Sequence, residues 1–238
     1  MALPKINETL NFNMKIPSTG QRVKYRPYLV KEEKILLQAF ESGDVTTCLE
    51  AMIDTLAACL DQKESVDLSS LATFDIEYMF TQVRGKSVGE SSTILVKCKE
   101  CGEPNEYVVD LEELVVDVSH TDNIIEINSD ISVEMKYPTY KNLMGANVDK
   151  IQANDTESAM ELLAASVGAV LTNEERIECA DQKLSEVVDF LSSMTTGQLQ
   201  KVSQFLEDMP ALKHQAVFAC KNCETHNEME LKGLSDFF

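Results

Sequence analysis

The chain has 238 residues, 44% of them hydrophobic and 26% charged, a size and balance able to bury a core without crosslinks. Its formal net charge of −19 repels phosphate backbones and argues against general nucleic-acid binding. No stretch approaches the ~20 apolar residues needed to cross a bilayer, and the opening MALPKINETLNFNMKIP has no charged leader before an apolar run. Neither a membrane anchor nor a secretory signal is therefore expected. Seven cysteines in such a chain read as thiols or metal ligands of a reducing cytoplasm, and the odd number rules out complete internal pairing.

In chain order, residues 12–28 read as two short extended segments joined by the turn-forming Pro17-Ser18-Thr19-Gly20. Val23, Tyr25 and Pro27 alternate with Arg22, Lys24 and Arg26, giving an apolar edge and a basic edge. That basic edge is either a solvated strand face or a docking edge for an acidic partner. From about Val30 the period becomes helical, with Ile35, Leu36, Leu37 and Phe40 supplying an apolar face and Ser42-Gly43-Asp44 ending it. A second helix is predicted from Thr46 to Leu60 on Leu49, Met52, Ile53, Leu56 and Leu60, with Cys48 and Cys59 as core thiols. Segment 66–84 supplies a third, through Leu68, Leu71, Phe74, Ile76, Met79 and Phe80.

The period then shortens. Residues 92–98 and 105–111 are rich in β-branched side chains and predict strands, as do 123–128 and 131–137 around Asn128-Ser129-Asp130. From 139 to 209 the pattern predicts helices. Asp155 caps one carrying Met160, Leu163, Val167 and Val170, and another runs near 184–193. Thr195 and Gln198 make a capping box ahead of Leu199, Val202, Phe205, Leu206 and Met209, and Pro210 stops that helix. Strands at 215–220 and 226–234 close the chain.

Two CxxC units stand between strand pairs: Cys98-Lys99-Glu100-Cys101 and Cys220-Lys221-Asn222-Cys223. Their flanks match, ILVKCKECGEPNEYVVDL against AVFACKNCETHNEMELKGL, down to a shared Asn-Glu. A CxxC turn between strands brings both sulfurs to one side of a tight loop, and two such loops complete a tetrahedron of thiolates around one structural zinc ion. A thioredoxin-like pair would open a helix, which neither unit does. The 102–219 stretch between the knuckles is far longer than in a compact ribbon, but closure entropy grows only slowly with length. His226 is expected at the surface and Cys179 as a free thiol.

These readings predict an α+β fold, mostly helical, with a small antiparallel β portion and a split zinc ribbon formed by the two knuckles. One domain spans 1–238, with knuckles at 92–111 and 214–234 and a largely helical insertion at 112–213. Catalytic signatures are missing: the histidines at 120, 214 and 226 form no metal array, and no GxSxG or dinucleotide fingerprint occurs. Gly85-Lys86-Ser87 ends like a phosphate loop, but Phe80 replaces its first glycine; Arg84 to Gly89 reads instead as a helix terminus running into a turn.

Several local motifs carry a family likeness: Ile16-Pro17-Ser18-Thr19-Gly20, Val23 through Lys34 (VKYRPYLVKEEK), Phe74 through Phe80 (FDIEYMF), Arg84 through Glu90 (RGKSVGE), the knuckle with Cys98, Cys101 and Gly102, and the ending Gly233 through Phe238 (GLSDFF). On these the chain resembles the T4-type bacteriophage baseplate proteins, which include a baseplate hub assembly component of tailed myophages. The likeness covers nearly the whole chain, densest at both ends and weakest in 112–195. It implies a non-enzymatic virion or assembly protein, made in the infected host's cytoplasm and placed in the tail baseplate. Its partners would be other hub proteins and the tape-measure protein, with no nucleic acid, membrane or small-molecule substrate. Two other readings compete: a nucleic-acid-binding zinc ribbon, and a hub-associated cell-wall hydrolase, which needs a positioned acid pair or an open metal site.

Overall fold

The structure, a computed structural model, describes residues 11–61, 66–118, 122–145 and 156–237. The chain forms two compact units and returns to the first after building the second. Unit one gathers Met1–Val66, Phe74–Asp117 and Ala211–Phe238; unit two holds Asp67–Thr73 and Val118–Pro210.

Unit one begins with the expected hairpin, β1 (Phe12–Lys15) paired antiparallel with β2 (Arg22–Tyr25). Val23 and Tyr25 are buried while Arg22 and Lys24 are exposed, as a half-buried strand requires. The connecting turn is held from α3 (Thr73–Val88): Ser18 donates its N–H (2.9 Å) and its Oγ–H (2.5 Å) to the two carboxylate oxygens of buried Asp75. Two helices follow, α1 (Val30–Ser42) and α2 (Val45–Cys59). Gly43, at φ +69°, closes α1, and Asp44 caps α2 by accepting from the Thr47 N–H at 2.7 Å. Cys59 is buried and Cys48 half-buried, its thiol donating to the Ala39 carbonyl at 3.3 Å.

The basic stretch is partly absorbed by this packing. Arg26 donates to Glu32 Oε1 and to the Ala58 carbonyl, each at 2.9 Å, and Glu32 also accepts from the Leu29 N–H at 2.8 Å. Burial raises the Glu32 carboxyl, but the hydrogen bonds from Arg26, Leu29 and Lys31 outweigh it and hold the group below its usual range. The Tyr28 N–H donates to Ser87 Oγ at 2.9 Å, tying this stretch to α3. That helix runs past the expected Arg84 to Val88. Gly85, Lys86 and Ser87 form its last turn, and the chain leaves the helix at Gly89, as a helix terminus running into a turn requires. Gly85 is buried there facing Leu111, and Lys86 pairs with Glu90 at 2.5 Å and with Glu112.

Two further hairpins complete unit one. β3 (Ser91–Lys97) pairs with β4 (Pro104–Asp110), and β10 (Leu212–Ala219) pairs with β11 (His226–Lys232) and with the short β5 (Val115–Val116). Their inner faces share one core of Val96, Val109, Leu111, Leu114, Leu212, Ala216, Leu231 and Phe237. The chain end is built into it: Phe237 is fully buried, and its carbonyl accepts from Ser92 Oγ at 2.7 Å. Glu77 on α3 accepts from the Leu234 N–H of the final 3-10 turn.

In unit two, β6 (Ile124–Glu126), β7 (Ile131–Met135), β8 (Val167–Thr172) and β9 (Arg176–Glu178) form an antiparallel sheet in that order. Helices α4 (Tyr140–Gly145), α5 (Thr156–Ala165), α6 (Leu184–Ser192) and α7 (Thr196–Glu207) accompany it. The core combines sheet residues Val133, Met135 and Val167 with Leu163, Leu191, Val202 and Phe205, and Tyr137 stacks on Phe205 at 5.3 Å. The Thr195/Gln198 capping box is present, whereas the Asp155 cap lies outside the described residues.

The expectation of a mostly helical fold is therefore corrected. Seven helices share the described residues with eleven strands in four antiparallel sheets, an α+β fold with a substantial β part. Val167 and Val170, expected on the helix before them, lie outside it. That helix stops at Ala165, and the β-branched residues continue as β8. Gly168 sits at an irregularity opposite Glu134 and Met135, where an added Cβ would lie 2.7 Å from Lys136 Cε.

Two outcomes follow from unit one. Asp75→Ala leaves both Ser18 donors without their acceptor and is expected to cost roughly 2–4 kcal/mol in urea unfolding. Burial pushes the Glu77 carboxyl up to about 7, against an ordinary 4.5. Between those values the folded protein holds a proton that the unfolded chain has lost, so stability falls as pH rises through that window and then levels off. Glu77→Gln is expected to flatten that slope when unfolding midpoints are compared at pH 5 and pH 7.5.

Candidate metal centre

Each knuckle is a tight loop closing its own hairpin. In the first, the Cys98 N–H donates to the Glu103 carbonyl (3.0 Å) and the Gly102 N–H to the Cys98 carbonyl (3.0 Å). In the second, the Cys220 N–H donates to Thr225 and the Glu224 N–H to Cys220, both at 2.9 Å. Gly102 (φ +71°) and Glu224 (φ +57°) occupy the same place in the two loops, and Glu224 alone of the described non-glycine residues has a positive φ. The turn demands a left-handed residue; the first loop meets that with glycine and the second does so at a cost.

The structure brings together all four cysteines singled out in the sequence. Cys98 Sγ lies 3.7 Å from Cys223 Sγ, Cys101 Sγ lies 3.6 Å from Cys220 Sγ, and the four sulfurs all fall within 4.8 Å of one another. The short pairs run between knuckles, so each loop completes the other. The first cysteine of each loop is buried and the second exposed. His226, at the start of β11, is exposed and not part of the cluster; Cys179 belongs to unit two.

Hydrogen bonds tune the sulfurs unequally. Cys220 is lowered to about 6, first by the Cys223 N–H, then by the Asn222 N–H, with further help from Cys101 and Asn105. Cys98 is lowered in the same way, by the N–H groups of Cys101 and Glu100 and then by Asn227 and Cys223. At Cys101 the Glu103 N–H and then the Asn222 side chain lower the thiol, but desolvation and the hydrogen bonds with Cys223 and Cys220 outweigh them and leave it at about 11. Thiolate-stabilising donors thus converge on the two buried sulfurs. The donor set could hold a metal ion.

Two residues of the site escaped the sequence reading. The Asn105 side chain, buried on β4, accepts from the Lys221 N–H of the opposite loop at 2.8 Å and donates to the Glu103 carbonyl (2.8 Å) and to Cys220 Sγ (3.7 Å). Asn227, buried on β11, mirrors it: it accepts from the Lys99 N–H at 2.9 Å and donates to Thr225 (2.8 Å) and to Cys98 Sγ (3.5 Å). The signal was visible in the shared Asn-Glu of the two flanks.

Compared with known families, residues 8–238 match the model described as T4 bacteriophage base plate protein. The chain belongs to that family. No curated protein and no solved structure matches it. As a member of the T4 base plate family, it is a structural component of the phage tail baseplate and interacts with other baseplate proteins. No helix among the described residues is long and apolar enough to cross a membrane.

Gly102→Ala is expected to destabilise the first knuckle by about 1–2 kcal/mol, because its φ of +71° places a Cβ against the following carbonyl. Urea unfolding of the variant beside the wild type measures it.

Proposed function

We propose that this chain is a zinc-stabilised component of the baseplate hub, with a structural role and no catalytic activity. The observation that carries the zinc reading is the spacing of the sulfurs. Thiolates about 2.3 Å from a central zinc stand about 3.8 Å apart along the edges of a tetrahedron, and the cross-knuckle pairs lie at 3.7 and 3.6 Å. Soft thiolate donors in this arrangement select zinc over the hard cations, and four protein ligands leave no position open for substrate or water. Cys98, Cys101, Cys220 and Cys223 would hold one ion per chain, whose contribution is to lock two hairpins together.

The hub assignment rests on the family and on the surface. Other hub proteins and the tape-measure protein are the proposed partners, met during assembly in the host cytoplasm. Arg22 and Lys24 on β2 and Lys31 and Lys34 on α1 are exposed basic groups in a chain of net charge −19, suited to contacts with an acidic partner surface.

Protein purified without chelator is expected to carry about one zinc per chain. Cys98→Ser and Cys220→Ser are each expected to lose it, with stability falling by several kcal/mol. A zinc-free wild-type protein that unfolds with undiminished stability would refute the zinc reading. Co-expression with the hub proteins tests the rest: a stable complex supports the hub role, and none at micromolar concentration removes it.

A further inference from the structure

The paired asparagines do more than fill space. Each is fully engaged: its Oδ1 accepts from the main chain of the opposite knuckle, one Nδ2 proton goes to the carbonyl two residues before it, and Nδ2 also approaches a buried sulfur of the opposite knuckle. The orientation of each amide is fixed chemically, because the N–H groups of Lys99 and Lys221 can only donate and therefore face Oδ1. Both side chains are buried, at 4% exposure for Asn105 and 1% for Asn227, where breaking such bonds is costly. The arrangement is reciprocal. Asn105 belongs to the first hairpin and grips the second CxxC loop, while Asn227 belongs to the second and grips the first.

We infer that Asn105 and Asn227 are positioning residues of the metal centre, a reciprocal clasp that gathers the four sulfurs before an ion arrives. The inference builds on the zinc reading, but the clasp acts in the metal-free chain. None of its bonds passes through an ion: they join side-chain amides to peptide groups and sulfur. The shared core beneath, with Val96, Val109, Leu212 and Leu231, brings the hairpins together, and the clasp sets their register at the tip. Asparagine is required by chemistry as well as shape. Aspartate could still accept from the opposing N–H, but it would lose both Nδ2 bonds and set a negative charge against a thiolate.

The test uses full-length protein stripped of metal by a chelator under reducing conditions, in wild-type, Asn105→Asp, Asn227→Asp and Asn105→Ala forms, each checked for folding by circular dichroism. Two readings are taken. Cobalt(II) titration, followed by the thiolate-to-cobalt charge-transfer band, is expected to weaken about 10–100-fold in each variant, the range for lost outer-shell partners. Diamide treatment of the metal-free forms then reports where the sulfurs stand. Each disulfide forms as two thiols give two protons and two electrons to the diazene, reducing it to the hydrazine. Wild type is expected to give mainly Cys98–Cys223 and Cys101–Cys220 by peptide mapping, and the variants mainly Cys98–Cys101 and Cys220–Cys223. Chiefly within-loop pairs in the wild type would overturn the clasp, as would variants that keep both the wild-type pairing and the wild-type cobalt affinity. A wild type that gives cross-hairpin pairs but binds no cobalt upholds the clasp and removes the zinc reading instead.

Discussion

Unit one closes on itself where the β3–β4 hairpin meets the β10–β11 hairpin. The chain departs after Asp117 and returns only at Ala211, so every contact between these hairpins joins distant segments and bears the entropy of a long loop. Three layers hold the junction. A common apolar core lies at the base, the reciprocal asparagine bonds lie above it, and the four sulfurs stand at the tip. The core supplies most of the burial, but apolar packing is not directional and tolerates slippage. Register is set by the polar layers, where a shift of one residue would move Asn105 or Asn227 from its buried place to the outer face.

The motifs that carry the family likeness also serve the interior. Several residues of these motifs are internal fasteners. Asp75 of FDIEYMF holds Ser18 of the first turn; Arg26 joins Glu32 within a single stretch; Ser87 of RGKSVGE receives the Tyr28 N–H. At the chain end, Phe237 fills the core shared by the hairpins, and Asp236 accepts from the Lys232 N–H at 2.8 Å. The Ser18–Asp75 and Tyr28–Ser87 bonds join segments far apart in sequence, whereas Arg26–Glu32 and Lys232–Asp236 fasten their own stretches. The exposed lysines and arginines of 22–34 that remain unburied are the part of this region open to a partner.

Much of this was legible before the structure. The four cysteines, the β1–β2 hairpin, the bounds of the first two helices and the Thr195 capping box follow from local rules of spacing and cap chemistry. Of the apolar face expected on α1, however, only Leu36 is buried, while Ile35, Leu37 and Phe40 are exposed. What escaped has physical causes. Val167 and Val170 fit a helical period as well as a strand, and only their pairing with β7 decides between them. The third helix ends at Val88 and not at the expected Arg84, because the small and basic residues 85–87 that resemble a terminus still complete its last turn. Ser18–Asp75 and the asparagine bonds join residues far apart in sequence, so no window along the chain displays them. The shared Asn-Glu after each CxxC was the one trace of the latter.

The central claim is that four sulfurs from two hairpins enclose one zinc ion, and X-ray absorption at the zinc edge of purified protein tests it most directly. The account predicts a single shell of four sulfurs at about 2.3 Å, with no nitrogen or oxygen neighbour. A shell containing histidine nitrogen or water oxygen, or protein that carries no zinc, would contradict it.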